Sequence, residues 1–286
     1  MLKTARVGPE ADRFPGPARA LKGVHMPRIK VLNIAYENTS VPEAARAVLA
    51  FASSRGEQPA GARGGPKVVV TPNSEIAYSC MSDPVLDAAV QAADYAMPDG
   101  SGVVLASRIL GTPLRGKVAG FDVACAMFPL MAQQGLSLYL YGAKPGIAEE
   151  AARRLRQRYP ALRIAGTLHG YIRDDDAVAE AINRAQPDVV FVALGSPQQE
   201  LWMQRNRGRL DAGVLMGLGG TLDILAGVSR RAPAFMVKLG LEWLYRLIRE
   251  PWRFVRMLRL PAYLWCAVRA RFGGKRMQKN NGGRHS

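Results

Sequence analysis

From Lys30 onward the chain alternates short, nearly continuous β-branched runs with segments of helical spacing. The apolar runs predict strands at Ile29–Ile34, Lys67–Thr71, Tyr95–Met97, Ser137–Tyr141, Arg163–Thr167, Asp188–Leu194 and Val214–Leu218. Between them, 3.6-residue spacing predicts helices at Pro42–Ser53, from Ser74, at Pro84–Ala92, Val103–Leu110, Pro145–Arg158, Ala177–Ala185 and Gln198–Asn206. Strands that are apolar throughout and separated by helices belong to a mostly parallel sheet covered on both faces. The expected fold is therefore α/β, a Rossmann-like sheet with helices on both sides. Such sheets bind ligands beyond the carboxyl ends of their strands. The polar and glycine-rich segments fall there: Thr71-Pro72-Asn73, Pro98-Asp99-Gly100, Gly142-Ala143-Lys144, Gly195–Gln199 and Gly217–Thr221.

Composition refines this picture mainly at the two ends. The first residues are rich in Pro, Gly and Arg and have no apolar h-region, which predicts a disordered tail over 1–27 and no secretory signal. Regular patterning starts just after Met26, a plausible alternative start. A core over 28–229 follows, interrupted by a flexible loop at Ser54–Lys67. The net charge is +16, and from Arg230 to the end 14 Lys/Arg face only 2 Asp/Glu. That asymmetry predicts a helical basic appendage over 230–272 and a disordered tail over 273–286. Arg246, Arg249, Arg253 and Arg256 are spaced by three and four, with Leu244, Leu247, Ile248, Val255 and Leu258 opposite. Pro251 divides this run into two helices. With Trp243, Tyr245, Trp252, Phe254, Tyr263 and Trp265 as interfacial aromatics, the pattern is that of a membrane-binding helix pair lying in the interface. No run of 18 uncharged apolar residues exists, so a spanning helix is not expected.

Three dispersed cysteines and three histidines leave no disulfide framework, CxxC metal site or His-based triad. Asp99, in MPDGSG, is a candidate general base or else a turn or capping Asp. Thr71 and Asn73 offer a hydroxyl and an amide to a sugar or phosphate, or else cap the next helix. The segment LGSPQQE (194–200) puts the first turn of a helix after a strand, where free N–H groups suit a diphosphate. Asp174-Asp175-Asp176 has the look of a metal–nucleotide motif but reads first as a helix cap. No GxGxxG or GxxxxGK[ST] loop is present.

Together VTPNSE (70–75), PDGSGVVLASRILG (98–111), VAGFD (118–122), LYGAKPGIAEEA (140–151), HGY (169–171), FVALGSPQQELW (191–202), GLGGTLDILAG (217–227) and RRAP…LGLEWLYRLIREPWR (230–253) resemble the WecG/TagA/CpsF glycosyltransferases, glycosyltransferase family twenty-six. The similarity runs in order from about Ile29 to Leu264. It implies an inverting transfer of a hexosamine, N-acetylmannosamine in the best-known members, from a UDP-sugar to N-acetylglucosamine on an undecaprenyl-type diphosphate lipid, in cell-surface polysaccharide assembly. It implies Asp99 as catalytic base, and Thr71, Asn73, Lys117 and Gln199 as substrate contacts. Arg246, Arg253 and Arg256 would meet the diphosphate from a C-terminal appendage at the membrane. Lys117 stands where members usually carry Arg, which keeps the charge but loses the bidentate fork. The implied cofactor is none, because clustered arginines can stabilise a leaving diphosphate without a metal.

The implied partners are a UDP-sugar donor, a polyprenyl-diphosphate acceptor and an anionic membrane surface at the cytoplasmic face of a bacterial inner membrane. No nucleic acid is expected, and a homo-oligomer remains open. The same chemistry with UDP-glucose, UDP-glucuronic acid or UDP-N-acetylmannosaminuronic acid in exopolysaccharide assembly is the nearest alternative. A nucleic-acid-binding protein would also be basic, but here the cations sit among Trp and Leu. A nicotinamide-dependent oxidoreductase lacks its fingerprint here.

Overall fold

The computed structural model describes residues 27–54, 65–249, 251 and 254–279. The tail expected over 1–27 and the loop after Ser54 lie largely outside the described residues; of the disordered tail expected over 273–286, residues 280–286 lie outside them, while 273–279 are helical instead. The chain opens with an antiparallel hairpin, β1 (Arg28–Val31) and β2 (Ile34–Glu37), paired from Arg28↔Glu37 to Val31↔Ile34. The pattern predicted a single strand over Ile29–Ile34. Its turn is hidden because it is Leu32-Asn33 rather than a glycine pair, with Leu32 at φ 56°. The turn is held from outside: Asn33 donates to Asp87 Oδ1 at 3.0 Å, and Gln91 donates to the Asn33 carbonyl at 2.6 Å.

Next come α1 (Val41–Ser54), β3 (Lys67–Val70), α2 (Ser74–Cys80), α3 (Pro84–Gln91), β4 (Tyr95–Ala96), α4 (Ser101–Leu110) and α5 (Gly120–Gln134). The second half continues with β5 (Ser137–Gly142), α6 (Ile147–Arg158), β6 (Arg163–Leu168), α7 (Asp175–Ala185), β7 (Val189–Ala193), α8 (Gln198–Asn206), β8 (Val214–Gly217) and α9 (Thr221–Leu225). Helix α5 was not anticipated; Pro129 inside it breaks the helical signal, although Val123, Ala124, Met127, Phe128 and Met131 form a buried stripe.

Strands β3–β8 form one six-stranded sheet in the order β4-β3-β8-β7-β5-β6. All its pairings are parallel. Alternate residues of each strand point to opposite faces, and two cores result. Val68, Val70, Val190, Val192 and Leu215 pack on one side with residues of α2, α3, α7 and α8. Val69, Leu138, Leu140, Val189, Phe191 and Met216 pack on the other with residues of α1, α5, α6 and α9. Each fully buried aliphatic side chain contributes about 1.5–3 kcal/mol. Because every strand runs the same way, the loops after β3, β4, β5, β7 and β8 open on one rim.

Beyond the sheet lie α10 (Ala234–Lys238), α11 (Glu242–Arg249) and α12 (Phe254–Met257); residues 250, 252 and 253, around the Pro251 where the sequence divides the run, are outside the described residues. The last helix, α13 (Arg259–Lys279), runs past residue 272. It lies against α2 and α4, and its Tyr263 and Ala267 are fully buried in the first core. Tyr263, expected among the interfacial aromatics, is thus a core residue. Trp265, on the other face of the same helix, is 63 % exposed. Truncating Tyr263→Ala should cost about 3–5 kcal/mol, as for other buried aromatics, and Trp265→Ala less than about 0.5 kcal/mol. Urea unfolding midpoints of the two variants check this; equal losses would mean α13 does not pack through Tyr263.

Candidate active site

At the carboxyl end of β3, Thr71 is buried and its hydroxyl donates to the Gly217 carbonyl at 3.1 Å, tying β3 to the end of β8. With its proton committed, Thr71 Oγ1 can offer a ligand only an acceptor. Asn73 is the N-cap of α2, its Oδ1 accepting from the Ile76 N–H at 3.0 Å, so capping occupies its oxygen. Asp99 follows β4. It does not cap α4, whose N-cap is Gly100 without a side-chain bond. Instead Asp99 Oδ2 faces the Gly120 N–H at 3.4 Å, at the first turn of α5, where the helix dipole favours a carboxylate.

These pieces are drawn together by missing side chains. A Cβ on Gly120 would lie 2.9 Å from Thr71 Cγ2 and 2.9 Å from a Leu218 methyl; one on Gly100 would lie 3.5 Å from Asn73 Cβ. Thr71, Asn73 and Asp99 therefore share one corner of the rim.

Gln199 follows β7, two strands along the sheet from β3, and is 2 % exposed. Its Oε1 accepts from the Gly219 N–H at 2.9 Å, and its Nε2 donates to Glu200 Oε1 at 2.8 Å. Glu200, not singled out from the sequence although it lies in LGSPQQE, is 1 % exposed and its Oε2 has no hydrogen-bond partner. Burial pushes its carboxyl pKa up, against the opposing pull of the Gln199 amide, the Ser196 side chain and its own backbone N–H. The first turn of α8 is less open than expected, because the Gln199 backbone N–H already donates to the Gly195 carbonyl at 2.9 Å.

Beside this corner lies a cleft of about 570 Å³, lined among others by Lys144, Tyr171, Arg173, Gln198, Trp202, Arg205, Gly219 and Asp223. The size suits a nucleotide-scale ligand. Exposed Tyr171 offers a ring, while Lys144, Arg173 and Arg205 offer charge. The lining does not include Thr71 or Asp99; Gln199 joins the two regions, since Gly219 and its neighbour Gln198 both face the cleft. The acidic run 174–176 is engaged by the protein. Asp174 caps α7, Asp175 accepts from Trp202 Nε1 at 2.9 Å, and Asp176 pairs with Arg209. Among the described residues no group of three or more His, Cys, Asp or Glu is placed to hold a metal ion.

Lys117 points to the appendage, where its ammonium pairs with Glu242. Arg231 makes a two-pronged pair with Asp122 at 2.5 and 2.7 Å, and lies 3.5 Å from Glu242. Ser101 Oγ donates to the Gly240 carbonyl at 3.0 Å. Hence the start of the appendage is fastened to α4 and α5 beside Asp99. None of these partners was visible in local spacing. Arg246 and Arg256 lie on α11 and α12, but their side chains, and Arg253 entirely, are outside the described residues.

A parallel sheet with this rim, a carboxylate facing the first N–H of α5 and a cleft lined by charged side chains fits the α/β enzymes that handle nucleotide-linked substrates. Residues 29–277 match the profile of the Glycosyl transferase WecG/TagA/CpsF family, and the chain belongs to this family of glycosyltransferases. It is 37 % identical over 201 residues (70 % of this chain, 78 % of the relative) to the N-acetylglucosaminyldiphosphoundecaprenol N-acetyl-beta-D-mannosaminyltransferase of Bacillus spizizenii. It is 39 % identical over 196 residues (68 % and 77 %) to the protein of the same name from Bacillus subtilis. Identity is 29 % over 245 residues (85 % and 93 %) to the Staphylococcus aureus MW2 protein of that name.

Glu200 gives a stability prediction. A carboxyl whose folded pKa lies above its unfolded value holds its proton more tightly when folded. Its contribution is then greatest at low pH and is lost as pH rises through the raised value. Glu200→Gln should therefore be at least as stable as the parent at pH 8, with its advantage shrinking towards pH 4. Unfolding midpoints across that range test the sign; an advantage that grows in acid would contradict it.

Proposed function

We propose that this chain transfers N-acetylmannosamine, with inversion, from its UDP form to N-acetylglucosamine on an undecaprenyl-type diphosphate, in bacterial cell-surface polysaccharide synthesis. Family membership and the names of relatives 37 % and 39 % identical support the donor and acceptor. The observation that carries the chemistry is the Asp99 carboxylate facing the Gly120 N–H, with Gly120 packed against Thr71 at the rim, next to a nucleotide-sized cleft.

In this mechanism the donor nucleotide occupies the cleft, with its diphosphate directed past Gln199 towards Thr71. The acceptor hydroxyl gives its proton to Asp99 as its oxygen attacks the anomeric carbon. The carbon–oxygen bond to UDP breaks, and the electron pair leaves with the β-phosphate. One displacement from the opposite face inverts the anomeric centre and needs one base and no nucleophile. Charge growing on the diphosphate is met by backbone N–H groups and by cations, with Arg246, Arg253 and Arg256 assigned to it from the appendage. Lys117 would join them by exchanging Glu242 for phosphate. Asp99→Asn should keep folding and UDP affinity while losing about 100- to 10,000-fold in transfer. Calorimetric UDP titration and product formation measure the two; turnover near the parent rate would remove Asp99 as base.

The core over 28–229 is assigned the chemistry and residues 230–272 the approach to the bilayer. No described helix is long and apolar enough to cross a membrane. However, Phe235, Leu239, Ile248, Phe254, Leu258 and Phe272 are all more than half exposed in this basic segment. Each basic residue near an anionic surface contributes about 1 kcal/mol and is screened by salt. The protein should thus float with vesicles containing phosphatidylglycerol at low salt and release at about 1 M salt, where the Debye length is about 3 Å. Vesicles of phosphatidylcholine alone should bind far less. Equal binding to both, or capture by DNA but not vesicles, would overturn the membrane assignment.

A further inference from the structure

Gln199 is held in an unusual way for a side chain expected to contact substrate. Its amide has one oxygen and two N–H groups. The oxygen is fixed by the Gly219 N–H at 2.9 Å, and only an oxygen can meet that donor. One N–H goes to Glu200 Oε1 at 2.8 Å, so both ends of the amide plane are pinned and the flip is decided. One N–H remains, with no partner among the described residues. Nε2 lies only 3.0 Å from where a Cβ of Gly217 would stand, and the Gly217 carbonyl in turn receives the Thr71 hydroxyl. The amide therefore sits at the seam between cleft and Asp99 corner, with one hydrogen to give.

The partner that fixes it is costly. Glu200 is 1 % exposed and no cation pairs with it among the described residues; besides Gln199, only the Ser196 side chain and the Glu200 backbone N–H favour its charged form, and Oε2 has no well-formed hydrogen bond. A buried polar atom in that state destabilises the fold, and an apolar side chain of similar volume would be as stable or more so. Packing alone gives no reason for a carboxyl here; the Ser196 side chain and the backbone N–H are local partners within its own helix start, whereas the acceptor presented to Gln199 is the contact that reaches the seam.

We propose that Glu200 is a positioning residue for transfer: it orients the Gln199 amide so that a single N–H faces the donor's diphosphate–sugar linkage. Glu200 itself touches no substrate. The proposal rests on the transferase reading above, and its test separates the two.

Three variants and two readouts suffice. Glu200→Met keeps volume and removes the acceptor. It should leave the melting temperature unchanged or raised, yet lower kcat about 10- to 100-fold, the usual cost of losing an orienting partner. Glu200→Gln restores an acceptor and should recover activity to within about threefold of the parent. Gln199→Ala should abolish the effect of Glu200, so that the Gln199→Ala/Glu200→Met double variant is no slower than Gln199→Ala alone. Independently of turnover, the Gln199 side-chain amide pair in a nitrogen-15 spectrum should keep two well-separated, exchange-protected proton signals in the parent and Glu200→Gln. They should collapse or lose protection in Glu200→Met. If the losses multiply, if Glu200→Met transfers normally, or if activity merely follows melting temperature, Glu200 is structural and the proposal fails. If the amide responds as expected but the parent neither binds UDP nor transfers sugar, the transferase reading fails while the orientation of Gln199 stands.

Discussion

At the rim two glycines leave room that neighbouring side chains fill, so that no larger residue fits at either position. The Thr71 hydroxyl reaches the Gly217 carbonyl across the β3–β8 pair, and α5 begins against both with a glycine whose Cβ would strike Thr71 and Leu218 at 2.9 Å. A second glycine, Gly217, leaves the space that the Gln199 amide fills. Interiors at crystal-like density tolerate little change of volume, so this contact sets where α5 starts and hence where its first N–H meets Asp99. It also fixes the distance from Asp99 to the cleft beyond Gln199. Each of the proposed chemical roles depends on that spacing.

The appendage is coupled to the same corner. Arg231, Gly240 and Glu242 bind Asp122, Ser101 and Lys117 respectively, and Leu260 packs so near Gly102 that a Cβ there would lie 2.4 Å from its methyl. Further along, α13 buries Tyr263 against the sheet layer. The segment that carries the exposed apolar residues is thus fastened at both ends to the helix that follows Asp99. In the proposed function, a surface meeting the bilayer and a base meeting the acceptor share one mechanical support.

What was legible in the sequence is what local spacing encodes. Continuous apolar strands gave the parallel sheet, and with it the rim; the Asn73 cap and the capping role of Asp174 are three-residue patterns. The hairpin escaped because its turn carries no glycine, and α5 because Pro129 interrupts it. The pairs Lys117–Glu242 and Arg231–Asp122 join residues 125 and 109 apart, which no periodicity reveals. Tyr263 and Trp265 looked alike as aromatics in a basic helix; only the neighbours α2 and α4 separate the buried one from the exposed one. Glu200 stood in a quoted motif without attracting notice, because a carboxylate in a first helical turn is ordinarily solvated.

The central claim is a specific bond-forming event, and its direct measurement is transfer itself. The full chain would be incubated with UDP-N-acetylmannosamine, and in parallel with UDP-glucose, UDP-glucuronic acid and UDP-N-acetylmannosaminuronic acid. The acceptor would be N-acetylglucosamine on a short polyprenyl diphosphate. The account predicts one product, an N-acetylmannosaminyl disaccharide on the lipid, formed from the first donor and carrying the inverted, β anomeric configuration by NMR. Transfer from another donor alone, or a product with the donor's own anomeric configuration, would contradict it.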